Sequence, residues 1–259
     1  MFTVIVPTHN RPELLRHTLQ SLIDQTYSNF TVIVVDDACS YIPPYAELQP
    51  LQGRYVFILR NGIAGPAESR NMGLAISKSK YVLFLDDDDT LEKEHLQSLA
   101  NHIENSSPEL LFCDFKVCHE DRTLSPPQRL SIDRIDISGV TRSSVFVRNR
   151  IPNSCLVYRQ DVVAAVKHDN QMAIYEDWDF LLECLKGRTL THVPINSVVI
   201  NKSAANAAEN MRRGNAHDEL IVQTMLDLSK RHPAPDMPTR LERQSLMAGA
   251  GIVLAIDYF

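Results

Sequence analysis

Residues 81–89 read Tyr-Val-Leu-Phe-Leu-Asp-Asp-Asp-Asp, an apolar run followed at once by four carboxylates. A short run of aromatic and branched apolar residues is a buried strand, and here it ends in charge. Where an open parallel sheet ends its strands, ligands bind in the crevice outside the carboxyl ends. Carboxylates at such a place point to cation chemistry. Hard divalent ions want carboxylate oxygen, and Mg2+ takes one or two protein carboxylates plus substrate phosphates. The competing reading is an acidic turn that caps a helix over 92–104, with Asp89 and Glu92 at capping-box spacing. The position after a buried strand favours function for Asp86 and Asp88, and leaves Asp89 as a cap.

Outward from this stretch, strands and helices alternate. Strands are expected over 2–6, 31–35, 55–59, 81–85 and 110–115. Helices are expected over 11–25, where Leu15, Leu19, Leu22 and Ile23 share one face, and over 66–77, with Pro66 at its first position. Wholly apolar strands between helices mean a mostly parallel sheet covered on both faces. The second half is less regular. Residues 125–150 are polar, with weak alternation over 144–148. Strands are expected over 155–158 and 198–200, helices over 177–185, 216–230 and 240–256, and a loop over 201–215.

The chain has 259 residues, 44% of them hydrophobic, which is enough for one sizeable core. Its 26 basic residues stand against 32 acidic ones, so no nucleic-acid partner is expected. The first residues carry no basic, apolar leader, and the longest apolar run, 247–256, falls short of the roughly 20 residues of a spanning helix. Five cysteines without a CxxC pair fit a reducing, cytoplasmic setting. Cys113, Cys155 and Cys184 read as small buried hydrophobes.

Further motifs fall at the expected strand ends. Pro7-Thr8-His9-Asn10-Arg11 follows the first strand and opens a helix, where backbone N–H groups can cradle an anion. No glycine-rich phosphate loop is present. Asp36-Asp37 ends the second strand as Asp86–Asp89 ends the fourth; turn chemistry is the alternative, but convergence of both pairs on one sheet edge favours a site. An aspartate there suits a base with an imide N–H, such as uracil. Arg70 lies within a helix, with Gly73 allowing close packing. It can pair with phosphate or with a carboxylate of the site, although alone it would read as a surface arginine.

Taken in order, Val4-Ile-Val-Pro-Thr-His-Asn-Arg, Val35-Asp-Asp, Ala64-Gly-Pro-Ala-Glu-Ser-Arg-Asn-Met-Gly and Phe84-Leu-Asp-Asp-Asp-Asp resemble the family-2 glycosyltransferases of the GT-A fold over residues 1–115. The resemblance implies an α/β, GT-A-type nucleotide-sugar-binding fold: a mostly parallel central sheet flanked by helices, an irregular acceptor half and C-terminal helices. It divides the chain into a donor half (1–115), an acceptor half with the catalytic base (116–215) and a C-terminal helical segment (216–259). It implies an inverting transfer from a nucleotide-diphosphate sugar, UDP-linked as the family's commonest donor, with Mn2+ or Mg2+. The donor is expected at Pro7, Thr8, Asn10, Arg11, Asp37, Arg70, Asp86 and Asp87, and the metal at Asp88. Glu176-Asp177 matches the family's second-half pair, which makes Asp177 the general base; an acidic first helical turn is the alternative. Trp178 could stack on a sugar ring or simply pack.

Ala38 departs from the family's usual glycine, and the Gln-x-x-Arg-Trp motif of processive members is missing, so transfer of a single sugar is expected. The acceptor would be a glycan or lipid-linked glycan of surface polysaccharide biosynthesis, and the expected location is cytoplasmic, with a peripheral place at the inner face of the cell membrane as the alternative. Two rivals stand beside this reading: a sugar nucleotidyltransferase, and a noncatalytic nucleotide-sugar-binding module of a larger protein. Residues 245–259 are almost uncharged. The outlets for them are packing on the chain's own domain, a homo-oligomer or partner domain, and peripheral membrane contact.

Overall fold

The computed structural model describes residues 1–37, 40–62, 65–204 and 218–259. Ala38, Cys39, Ala64 and most of the loop expected over 201–215 lie outside the described residues.

The first half is a parallel βα unit. In chain order come β1 (Phe2–Thr8), α1 (Pro12–Ile23), β2 (Phe30–Asp37), a short α2 (Tyr45–Leu48), β3 (Tyr55–Arg60), α3 (Pro66–Ile76) and β4 (Tyr81–Phe84). All seven residues of β1 are buried, as a central strand covered on both faces requires. Proline at the start of α1 and of α3 costs no hydrogen bond, because the first N–H groups of a helix have no partner inside it. Gly73 faces β1 so closely that a Cβ there would lie 2.5 Å from Ile5 Cγ2. This glycine lets α3 sit directly on the strand.

Next come β5 (Thr90–Leu91), α4 (His95–Ser106), β6 (Leu110–Asp121), β7 (Gln128–Ile135), α5 (Arg142–Val147), β8 (Leu156–Arg159), α6 (Gln160–Val163), α7 (Glu176–Cys184), β9 (Leu190–Ser203), α8 (Asp218–Arg231) and α9 (Met237–Gly249). The sheet runs β3-β2-β1-β4-β8-β6-β9-β5, with β7 paired to β6. It is parallel over β3-β2-β1-β4 and again between β6 and β9, while β5, β7 and β8 enter antiparallel. Strand order reverses beside β1, so the ends of β1 and β4 form the switch-point crevice of an open α/β sheet.

Several boundaries differ from expectation for physical reasons. The weak alternation over 144–148 belongs to α5, a helix whose Thr141 and Ser144 form a reciprocal capping box. The β7 strand had no alternating pattern to reveal it, because seven of its eight residues are exposed. Helix α4 starts at His95 rather than 92, and its N-cap, Glu94, makes no side-chain cap. Asp89 is therefore not its cap. The last helix begins earlier, where Asp236 Oδ1 accepts from Thr239 N at 2.9 Å, and stops at Gly249. Within it Met247, and beyond it Phe259, are buried against the chain itself, whereas Val253 is 85% exposed. Among the described residues no helix is long and apolar enough to cross a membrane.

Candidate functional site

The parallel registers bring the ends of β1, β2 and β4 to one edge of the sheet. Across the switch point, Thr8 Oγ1 donates to Asp87 Oδ2 at 2.7 Å. Arg11 follows β1 and reaches the same carboxylate through Nε at 3.1 Å and through its terminal nitrogen to Oδ1. Asp87 is fully buried. Burial lifts its carboxyl to about 6, helped by Asp88 and Asp86 and opposed by Arg11 and Thr8. Asp87 is buried outside the cavity lining and holds Thr8 and Arg11.

The other three aspartates face three different ways. Asp86 Oδ1 accepts from Arg70 at 2.8 Å. Asp88 Oδ2 lies 3.3 Å from Arg11 and 3.7 Å from Arg122, a residue at the far end of the β6–β7 hairpin. Asp89 turns inward: Ser154 Oγ donates to it at 2.6 Å and the Asn201 N–H at 3.3 Å. Burial, with Asp88 and Asp86 nearby, holds the Asp89 carboxyl well above the usual carboxylate range. The run is thus split between a paired wall, an interior acid and two carboxylates beside the crevice.

Asp37 ends β2 with its side chain fixed from two sides. The Gly65 N–H donates to Oδ2 at 2.8 Å, and Arg60 lies 3.0 Å from the same oxygen. Gly65 has φ 124, a conformation that favours glycine, and this turns its N–H toward Asp37. His9 Nδ1 donates to the Asp37 carbonyl. Asp36 is buried and accepts from the Tyr41 hydroxyl at 2.5 Å. Asn10 points elsewhere, accepting from Ser40 N at 2.8 Å.

The second half meets the first at Arg70. This guanidinium is 2% exposed and lies 2.8 Å from Asp86 and 2.9 Å from Glu176, the first residue of α7. Burial works against its charge, but Asp86, Glu176 and Asp177 together raise its pKa. Burial, with Asp177 adjacent, raises the Glu176 carboxyl. Asp177 Oδ1 accepts from the Trp178 N–H at 2.8 Å. Trp178 is buried, and its indole N–H donates to the Val145 carbonyl at 2.8 Å. Asp179 anchors the helix by accepting from His232 Nε2 at 2.8 Å and from Arg231 at 3.1 Å.

A cavity of about 730 Å3 runs over this arrangement, lined by Pro7, Thr8, Arg11, Asp37, Arg70, Asp86 and Asp177 among others. Residues from both ends of the sequence motifs thus share one space. Asn10, Asp87 and Asp88 are not part of its lining. Sequence reasoning missed Arg60, Arg122, Ser154 and Asn201, which position the acidic residues. No local pattern marks them, since each acts across tens of residues. A divalent cation fits the chemistry of Asp88, a hard oxygen donor beside the crevice whose carboxylate is partly exposed. Among the described residues no cluster of three or more ligand side chains closes around an ion. The donor set is the kind that substrate phosphates complete.

Comparison with known proteins adds independent findings. The profile of the family described as Glycosyl transferase family 2 matches residues 3–165. An uncharacterized glycosyltransferase of Haemophilus influenzae is 32% identical over 217 residues, which cover 76% of this chain and 66% of that protein. The amylovoran biosynthesis glycosyltransferase AmsB of Erwinia amylovora is 25% identical, over 83% of this chain and 72% of its own length. Among solved structures, S. aureus TarS 1–349 in complex with UDP-GlcNAc superposes with a TM-score of 0.67 at 18% identity, covering 95% of this chain and 71% of that one. At that identity the likeness is one of fold, and it is the GT-A fold. This chain spans 42% of a longer TarS chain.

Proposed function

The chain belongs to glycosyl transferase family 2, and from that premise we propose that it moves a single sugar from a UDP-sugar to a hydroxyl of a glycan acceptor, with inversion. One observation carries the reading: Asp37, Arg70, Asp86 and Asp177 line a single cavity of a size that suits a nucleotide-sugar. In this reading residues 1–115 hold the donor, 116–215 supply the base and acceptor contacts, and 216–259 pack behind them.

The base of the nucleotide lies at Asp37, whose carboxylate is held by Gly65 and Arg60. The ribose lies near Asp86. Asp88 would hold Mn2+ or Mg2+, which when bound supplies positive charge to the leaving diphosphate. Arg11 and Arg70 are the protein's own cations beside that position. The acceptor oxygen forms a bond to the anomeric carbon from the face opposite the diphosphate. The bond to the phosphate oxygen breaks, its electron pair leaves with UDP, and the acceptor proton passes to Asp177. A positioned carboxylate in this role contributes about 10²–10⁴-fold. Arg70 keeps Glu176 and Asp86 apart at fixed distance, and so orients the helix turn that carries Asp177.

Support for UDP comes from the TarS complex, and support for a surface-glycan product from the name of AmsB. The test is Asp177→Asn with UDP-sugar donors: turnover should fall by about 10²–10⁴ while UDP affinity holds. A variant that retains most of its turnover would remove Asp177 from the mechanism.

A further inference from the structure

The first turn of α7 has a second face. Glu176 and Asp177 look into the donor cavity, whereas Tyr175 and Trp178, three residues apart, lie together on the other side with ring centroids 5.6 Å apart at 81°. There they line a separate cavity of about 430 Å3, whose further walls include Val222 and Met225 of α8 and Leu246 of α9. Tyr175 belongs to the lining of both cavities. The two spaces therefore adjoin at Tyr175, two residues before the candidate base.

Tyr175 is held in an unusual state. Its backbone is left-handed, φ 64 and ψ 20, although it is not glycine. Such conformations persist only where the surroundings impose them, and they cluster at ligand sites. Here the Tyr175 carbonyl accepts from the Asp179 N–H at 2.9 Å, so the residue opens α7 at the boundary of the two cavities. Beyond the two aromatic residues most of the lining is aliphatic and thioether surface; Asn149 adds an amide, and Arg148 an exposed cation with no carboxylate partner among the described residues.

We propose that this second cavity receives the apolar aglycone of the acceptor, so that the acceptor is an amphiphilic glycoside whose sugar passes Tyr175 toward Asp177. The proposal rests on the glycosyl-transfer reading for its direction, but its binding step stands apart from the donor. An apolar chain gains by leaving water for the Val222, Met225 and Leu246 surface. A sugar ring gains by lying against Tyr175, whose flat face is apolar and whose tip is polar. A sugar without an apolar chain leaves the Val222, Met225 and Leu246 surface uncovered, so discrimination falls on the aglycone.

The protein carries its own reporter, because Trp178 is its single tryptophan and lines the cavity. Octyl β-D-glucopyranoside, kept below its micelle concentration, should change Trp178 emission saturably, with a midpoint at least tenfold lower than that of methyl β-D-glucopyranoside. Val222→Phe, which fills the cavity, should abolish the response, and a parallel UDP titration of that variant shows whether its fold survives. Should the variant fail to fold, Leu246→Trp is avoided as a second fluorophore and Met225→Phe takes its place. Tyr175→Gly relieves the left-handed strain while removing the ring. It should weaken octyl glucoside binding at least fivefold, whereas a ring that only caps the helix would leave binding unchanged. Equal responses to octyl and methyl glucosides, or none to either in protein that binds UDP, would overturn the proposal. Octyl glucoside binding without UDP binding would instead sink the donor reading and leave the cavity assignment standing.

Discussion

Replacing Gly73 by alanine tests how tightly the site depends on the contact between α3 and β1. The new methyl would sit 2.5 Å from Ile5 Cγ2 and 3.1 Å from both Cγ1 and Cδ1. Carbon pairs rest at about 3.5–4.0 Å, so α3 must retreat by about 1 Å or Ile5 must leave a fully buried position. Overpacking of this kind costs about 1–3 kcal/mol. Arg70 lies one turn earlier on the same helix, and its 2.8 and 2.9 Å bonds to Asp86 and Glu176 would be stretched past hydrogen-bond range by that shift. Turnover should then fall by about 10²-fold, as a 1 Å misplacement can cause. Urea unfolding and donor consumption should be measured for Gly73→Ala in three backgrounds. Ile5→Val keeps Cγ2 and should give no relief. Ile5→Ala removes all three clashing atoms, and in that background the added methyl should be neutral or stabilising, a coupling of about 1 kcal/mol or more. An equal cost of Gly73→Ala in every background, or no cost in the wild type, would refute the reasoning.

Arg70→Met should destabilise the protein by about 3 kcal/mol in urea unfolding, because it leaves Asp86 and Glu176 without their shared cation; a change below about 1 kcal/mol would show that the guanidinium is not the joint between the halves. Asp88→Asn should erase the dependence of UDP affinity on Mn2+ in calorimetry, and a variant with the wild-type Mn2+ response would remove Asp88 as a ligand. Burial lowers the His95 pKa to about 4 from 6.5, so the unfolded chain takes up the proton first. The neutral ring's contribution is present above pH 6.5 and is lost as pH falls toward 4, about 3 kcal/mol in all. His95→Gln should flatten the loss of stability between pH 7 and 4.5, and an unchanged slope would contradict a buried neutral imidazole.

The first half was legible because its strands are apolar throughout and its helices carry leucine at helical spacing. Asp37, Arg70, Asp86 and Asp177 could be named because each stands at the end of such an element or in a helix next to one, and they do line one cavity. What could not be read is which way each of four adjacent carboxylates turns. Asp89 has a capping residue's spacing but is drawn inward by Ser154 and Asn201, 65 and 112 residues away. Ser154 sits in the short turn that leads into β8 and Asn201 on β9, and no local pattern encodes the antiparallel and parallel placements of those strands. Strand β7 escaped notice for a related reason: an exposed strand has no inner and outer face for hydrophobicity to mark.

The inward turn of Asp89 also changes what an approaching donor meets. Written out, Asp86–Asp89 is a concentrated negative patch that ought to repel a diphosphate. In space, Asp89 is turned into the interior, where burial raises its carboxyl well above the usual carboxylate range, and each of the other three contacts a guanidinium, Arg70 for Asp86, Arg11 for Asp87, and Arg11 with Arg122 for Asp88. Arg70 is shared with Glu176 and Arg122 with Glu120, so the three guanidiniums moderate the acidic field without cancelling it. An anion coming up to the crevice meets cations set among the carboxylates, and the acidity left over favours a cation that arrives with it.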